Sequence, residues 1–243
     1  MNISFYVDAH VHCFEIDISE LKKYFDEGFR IVCVSDDTSS SYETIRLADE
    51  NPFIKPCIGV HPWLIDSTNT SLFFEMLNEK IDLVKCIGEV GLDKKFKPDT
   101  FHKQIVFFEE ILKFAKEYDL VLNIHAAGAW REVYESLIRM DINRAYIHWY
   151  TGPMNLMYEI TGAGYYIGLN PAWIIQEKHR SIVENAPINR VLTESDAPYK
   201  YRDLELNPSL VKNTVNYIAK TRGMTLVEVV ETISRNYRSL FEN

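Results

Sequence analysis

Short apolar runs punctuate the chain at intervals that leave room for a helix between them. They are ISFYVD (3–8), RIVCVSD (30–36), IKPCIGV (54–60), LVKCIGEV (83–90), LVLNIH (120–125), RAYIHWY (144–150), GYYIGL (164–169) and RVLTESD (190–196). Most are apolar throughout rather than alternating, as expected for parallel strands covered on both faces. Amphipathic segments lie between them. The clearest is TFHKQIVFFEEILKFAKEY, where Phe101, Ile105, Phe108, Leu112 and Ala115 recur at spacings of three and four behind Asp99, a candidate N-cap. Asn207-Pro208 reads as a cap and first-turn proline for a later helix, and Thr225 with Glu228 has capping-box spacing for the last one.

Eight strand candidates alternating with helices predict an α/β fold, a single (β/α)8 TIM barrel over residues 1–243, near the usual size for that architecture. No Pro/Gly/Ser-rich linker or low-complexity tract divides the chain. The rival is an open doubly wound sheet, but no G-x-G-x-x-G follows the first strand.

The polar residues fall where such a barrel would use them. Five of the seven histidines sit at or just beyond the C-terminal ends of predicted strands: His10, His12, His61, His125 and His148. His102 and His179 fall in helical segments. Glu89 ends strand four, and Glu194 and Asp196 end strand eight. These ends converge on one face of a barrel, where active sites are built. Side chains two apart on a strand share a face, so Asp8, His10 and His12 can point one way, as can Glu194 and Asp196. A carboxylate inside a barrel is costly unless paired or metal-bound. This mixed nitrogen and oxygen set suits zinc, manganese, iron or nickel, with magnesium at its oxygen-rich part.

Composition narrows the picture a little. Apolar content of 47% and charged content of 25% are ordinary for a globular protein. The net charge of −9 argues against a basic-patch nucleic-acid binder, though not against a nuclease whose positive charge is carried by metal ions. There is no signal-peptide pattern and no apolar run of transmembrane length, so the expectation is a cytoplasmic protein with no membrane contact. Cys13, Cys33, Cys57 and Cys86 form no C-x-x-C pair and are expected to be reduced thiols, mostly buried in strands.

Several motifs in order along nearly the whole chain resemble the TatD-related deoxyribonucleases of the metal-dependent hydrolase superfamily. They are D-A-H-V-H (8–12), G-V-H-P (59–62), I-G-E-V-G-L-D (87–93), I-H (124–125), H-W-Y-T-G (148–152) and T-E-S-D-A-P-Y (193–199). The terminal stretch from Asn207 to Phe241 also fits. The resemblance implies two divalent ions per chain, zinc, magnesium or manganese. His10, His12 and Asp196 would hold one, His125 and His148 the other, and Glu89 would bridge them. His61 would lie near the scissile phosphate, Glu194 and Asp93 would orient ligands or loops, and Asp196 would act as general base. The implied reaction is hydrolysis of DNA, or RNA, by a metal-activated water. The alternatives are a hydrolase of another ester or amide, such as an aminoacyl-tRNA deacylase, and an accessory subunit with a structural metal. Two departures bear on substrate rather than metal: Ala127 stands where many members carry arginine, and Trp149-Tyr150-Thr151 replaces the usual C-F-S. Trp63, Trp149, Tyr150 and Trp173 are candidates for stacking on bases. Lys94, Lys95, Arg131, Lys200 and Arg202 are candidates for phosphate contacts.

Overall fold

The computed structural model describes residues 4–242. Eight parallel strands form its wall: β1 (Tyr6–Val11), β2 (Phe29–Val34), β3 (Ile54–Cys57), β4 (Cys86–Gly91), β5 (Val121–His125), β6 (Ala145–Ile147), β7 (Tyr166–Leu169) and β8 (Val191–Thr193). The helices are α1 (Ile18–Asp26), α2 (Thr38–Glu50), α3 (Thr70–Glu79), α4 (Phe101–Tyr118), α5 (Trp130–Arg139), α6 (Met154–Gly162), α7 (Glu177–Asn185), α8 (Leu210–Arg222) and α9 (Leu226–Phe241). Strands one to three pair in order, as do strands four to eight. Parallel bridges at Ile58–Ile87 and Val11–Ala197 join these two sheets. At the second seam the Asp196 amide donates to the His10 carbonyl (2.9 Å) and the His12 amide to the Ala197 carbonyl (2.8 Å). The result is the closed (β/α)8 barrel that the spacing of apolar runs predicts.

The strands are buried on both faces because helices cover the outside and side chains fill the inside. The apolar runs overshoot the strands at their polar ends. RVLTESD contributes only Val191–Thr193 to the ladder, so Glu194 and Asp196 lie beyond it, over the barrel mouth. A two-stranded hairpin, β9 (Lys200–Tyr201) with β10 (Leu204–Glu205), projects from the loop after β8.

Helix starts differ in detail from the sequence reading. Thr225 and Glu228 make the expected capping box on α9. Asp99 does not cap α4. It lies in a single 3-10 turn, Pro98–Thr100, because the proline begins that turn early. α8 begins after Ser209, with Asn207 and Pro208 left in the preceding turn. The buried face of α4 includes Phe107 and Ile111 beside Phe108, Leu112 and Ala115, because the helix packs on a wide apolar stripe.

The cysteines correct the expectation of reduced thiols. Cys13 is joined to Cys33 and Cys57 to Cys86. All four are buried, and the bridged Cα atoms are 5.4 and 4.5 Å apart, within bridging range. Pairing across elements far apart in sequence is invisible to spacing rules. Among the described residues no helix is long and apolar enough to cross a membrane.

Candidate metal centre

At the C-terminal mouth of the barrel the predicted residues converge on Glu89, which is almost wholly buried. His10 Nε2 lies 3.2 Å and His12 Nε2 3.5 Å from Glu89 Oε2; the same two nitrogens lie 3.5 and 3.4 Å from Asp196 Oδ1. The other oxygen, Glu89 Oε1, faces His125 Nδ1 at 2.7 Å, His148 Nε2 at 2.8 Å and His61 Nε2 at 3.4 Å. One carboxylate thus joins two sets of donors.

The orientation of each ring decides what it can do. Asn123 donates its amide to the Ala9 carbonyl (2.9 Å), so its Oδ1 must accept from His10 Nδ1–H, also at 2.9 Å. That leaves the lone pair of His10 on Nε2, aimed at Glu89. Asp36 lies 3.1 Å from His12 Nδ1, and Asp93 3.1 Å from His125 Nε2. Each carboxylate favours the proton on the ring nitrogen beside it and frees the other nitrogen for the cluster. His61 differs. Its Nδ1 accepts the Trp63 amide (3.2 Å), so its neutral form carries the proton on Nε2 and is a donor there.

Nitrogen lone pairs therefore face carboxylate oxygens at close range, an arrangement that is repulsive without a cation between them. Without metal, protons fill the role. Burial pushes His10 down, but the neighbouring Glu89 and Asp196 charges override it and lift it to about 9. Burial likewise opposes His125, which Asp93 and Glu89 raise to about 9. Burial and the charge on His10 depress His148 to about 4. Glu89 stays ionised well below the usual range: burial opposes this, and the surrounding His61, His148 and His10 prevail. The chemistry of the donor set also fits a metal. Donors arranged tetrahedrally about 2.0–2.1 Å from a cation stand about 3.4 Å apart, and the four nitrogen-to-oxygen distances among His10, His12, Glu89 and Asp196 run from 3.2 to 3.5 Å.

Supporting groups hold the cluster in place. Glu194 is fully buried, and burial raises its carboxyl to about 8. It accepts hydrogen bonds from the Tyr146 hydroxyl and from the Trp149 amide (2.7 Å), and lies 3.9 Å from His148 Nδ1. Gly168 makes room for it: a Cβ there would land on the Glu194 carboxylate and the Tyr146 hydroxyl. Asp93 accepts the Lys95 and Phe96 amides (2.9 and 2.7 Å) and the Trp63 indole N–H. Against burial, His125 and these donors hold it at about 2. Asp196 and Trp149 adopt left-handed backbone, with φ of 61° and 39°, an uncommon conformation for such residues that recurs at functional sites.

The sequence reading missed Asn123 and Asp36. Both carried a signal. Asn123 is the one polar residue inside LVLNI, two positions before His125 and so on its face of the strand. Asp36 closes RIVCVSD just past β2, the position rule that identified the histidines. The structure also sorts the candidate rim residues. Trp63 and Trp149 line the cavity over the cluster, a space of about 390 Å3. Tyr150 is buried and donates to the Pro153 carbonyl (2.7 Å), while Trp173 stacks on Tyr217 at 3.9 Å, away from the cavity. Of the candidate cations, Lys94 pairs with Glu132 (2.8 Å), Arg131 with Glu159 (2.6 Å) and Lys200 with Glu205 (3.6 Å). Arg202 lies over the Tyr201 ring. Lys95 is the lysine that lines the cavity.

A parallel barrel with histidines and carboxylates converging at its C-terminal mouth defines a metal-dependent hydrolase. Residues 7–242 match the family model of the TatD related DNases, and the chain belongs to that family. It is 26% identical to the putative deoxyribonuclease tatdn3 of Danio rerio, with 97% of each chain covered. It is 24% identical to deoxyribonuclease TATDN3 of Homo sapiens, covering 97% of this chain and 94% of that one. Among solved structures, the TatD homologue YJJV of Escherichia coli superposes with a TM-score of 0.87 at 21% identity, covering 98% of both chains.

Proposed function

We propose that this chain is a deoxyribonuclease, with RNA as a further substrate, working through two divalent ions that are zinc, magnesium or manganese. The observation that carries the reading is the division of Glu89, one oxygen facing His10 and His12 and the other facing His125 and His148. In this reading Asp196 completes the first donor set and Glu89 belongs to both. When bound, the cations supply Lewis acidity and make hydroxide accessible near neutral pH.

The protein's own groups supply the rest. Burial opposes the charge on Asp196, but the His12 hydrogen bond and the nearby His10 and His148 charges hold its carboxyl below the usual range. An ionised Asp196 at the cavity floor can accept a proton from the attacking water. His61, with its proton on Nε2, can donate to a phosphoryl oxygen. Asn123, Asp36 and Asp93 hold the ring tautomers, and Glu194 fixes the start of the loop that carries Trp149. The named relatives include deoxyribonucleases, which supports DNA as the substrate class.

Purified protein incubated with labelled single-stranded DNA under Mg2+, Mn2+ and Zn2+ tests the reading. A metal-dependent product ladder is expected, together with up to two ions per chain by elemental analysis. No cleavage under any of the three ions would overturn it. A cytoplasmic setting is part of this reading.

A further inference from the structure

The cavity over the donor cluster has unlike walls. On the β3–β4 side stand Trp63, Phe96 and Lys95; on the far side stand Trp149, Tyr201 and Gln176. In a ring of eight strands β4 and β8 are opposite, so the cluster lies between the two walls. The second wall is assembled from three separate loops. Trp149 follows β6 directly after His148, Gln176 precedes α7, and Tyr201 lies on the hairpin after β8.

Its geometry is that of an open aromatic corner. The Tyr201 ring meets Trp149 at 5.1 Å and 75°, and the Tyr199 ring meets it at 6.2 Å and 72°. Edge-to-face packing of this kind covers a face of only one ring in each pair; the Arg202 guanidinium lies over the Tyr201 ring at 5.3 Å, and Tyr199 is 46% exposed. A carboxamide sits between the two rings: the Trp149 indole N–H donates to Gln176 Oε1 at 3.4 Å, and Gln176 Nε2 donates to the Tyr201 hydroxyl at 3.3 Å. Both bonds are longer than the usual 2.9–3.0 Å. A ligand edge can therefore compete for the carboxamide. Gln176 also occupies the N-cap position of α7 without capping it, so its side chain is spent on the cavity rather than on the helix. The Trp149 backbone is held in its left-handed turn by Glu194, which fixes the indole relative to His148.

We propose that Trp149, Tyr201 and Gln176 form a nucleobase subsite beside the donor cluster. A base next to the phosphodiester stacks against the aromatic corner, and the Gln176 carboxamide meets its polar edge. The stacking surface accepts any base, because every base has a π-face, while the carboxamide offers a donor and an acceptor side by side. The cavity volume of about 390 Å3 lies in the range of about 300–1,000 Å3 that holds a compact organic ligand. The proposal rests on the phosphodiesterase reading of the same site.

The test compares two ligands by calorimetry in the presence of Mn2+: thymidine 5′-monophosphate and 2-deoxyribose 5-phosphate, which lacks the base. The intact protein is expected to prefer the nucleotide by about tenfold or more. Tyr201→Ala and Trp149→Leu bring the ratio toward one, Tyr201→Phe restores most of it, and Gln176→Ala lowers it severalfold. Tyr201 lies on the projecting hairpin, so its variants read the subsite even if the Trp149 change perturbs the adjoining loop. A ratio near one in the intact protein, or a ratio unmoved by Tyr201→Ala and Gln176→Ala, overturns the subsite. The DNA cleavage assay separates the two readings. Cleavage with no base preference removes the subsite alone, whereas base preference without cleavage supports the subsite and removes the nuclease.

Discussion

Two regions of this barrel bury histidine, in opposite ways. Under the loop after β7, His179 is fully buried; its Nε2 accepts the Asn170 amide (2.8 Å) and its Nδ1 donates to the Tyr150 carbonyl (3.0 Å). Burial leaves it neutral, depressed to about 4, with both nitrogens satisfied by backbone. At the barrel mouth His10 is as deeply buried, yet carboxylates beyond its Nε2 lift it to about 9. Burial alone therefore does not mark a functional histidine. What marks it is a lone pair that no protein donor satisfies, facing oxygens that are acceptors too. The first region is closed in on itself, and the second leaves nitrogen lone pairs facing carboxylate oxygens.

The sharpest way to break this contrast is to remove the charge that makes the mouth incomplete. Glu89→Gln is expected to lower turnover of DNA roughly a thousandfold or more with an unchanged circular dichroism spectrum, because an amide cannot neutralise two cations. Asp196→Asn should cost as much. Near-native turnover in Glu89→Gln would show that the mouth does not depend on its central carboxylate. The next effect concerns the groups that aim the rings. Asp36→Asn should weaken metal binding about 10- to 100-fold, read by competition with a chelating dye, while thermal stability of the metal-free protein changes little.

His179→Ala reverses that pattern. It leaves the Asn170 amide unsatisfied and should cost about 1–3 kcal/mol of stability in denaturant titrations, with metal affinity retained. A loss of metal binding there would erase the distinction between the two regions. A pH dependence follows from the same contrast. His10 and His125 are raised from 6.5 to about 9, and Glu194 from 4.5 to about 8. Each favours the folded metal-free protein at low pH and loses that contribution as pH rises through its folded value. Stability of the metal-free form should thus fall between pH 6.5 and 9. Divalent ions should reverse the fall, since metal binding releases protons and strengthens as pH rises. Melting curves with and without Zn2+ across that range check the sign.

Much of this was legible in the sequence because the barrel ties position to role. Apolar runs located the strands, and polar residues at their ends located the mouth. His10, His12, Glu89, His125, His148 and Asp196 were all found that way and come together around one carboxylate. Hydrogen-bond partners were harder. Asn123 and Asp36 carried a signal of position, but which rings they would meet depends on contacts between strands that the sequence does not record. The cysteine bridges join neighbouring β/α units and the aromatic corner joins separate loops, and a periodicity carries no record of either contact. Helix caps were lost where a proline turned the chain one step early, as at Pro98.

The seam between β1 and β8 has a further consequence. Ser195 donates its amide to Asp8 Oδ1 across 187 residues, and at the same seam the Asp196 amide bonds to the His10 carbonyl. The first and last strands of the barrel wall thus supply opposite sides of one donor set. A growing chain holds His10 and His12 long before it holds Asp196, and its barrel stays unclosed until β8 is in place. The donor set is thereby incomplete for most of the chain's synthesis, and it comes together only when the wall is whole.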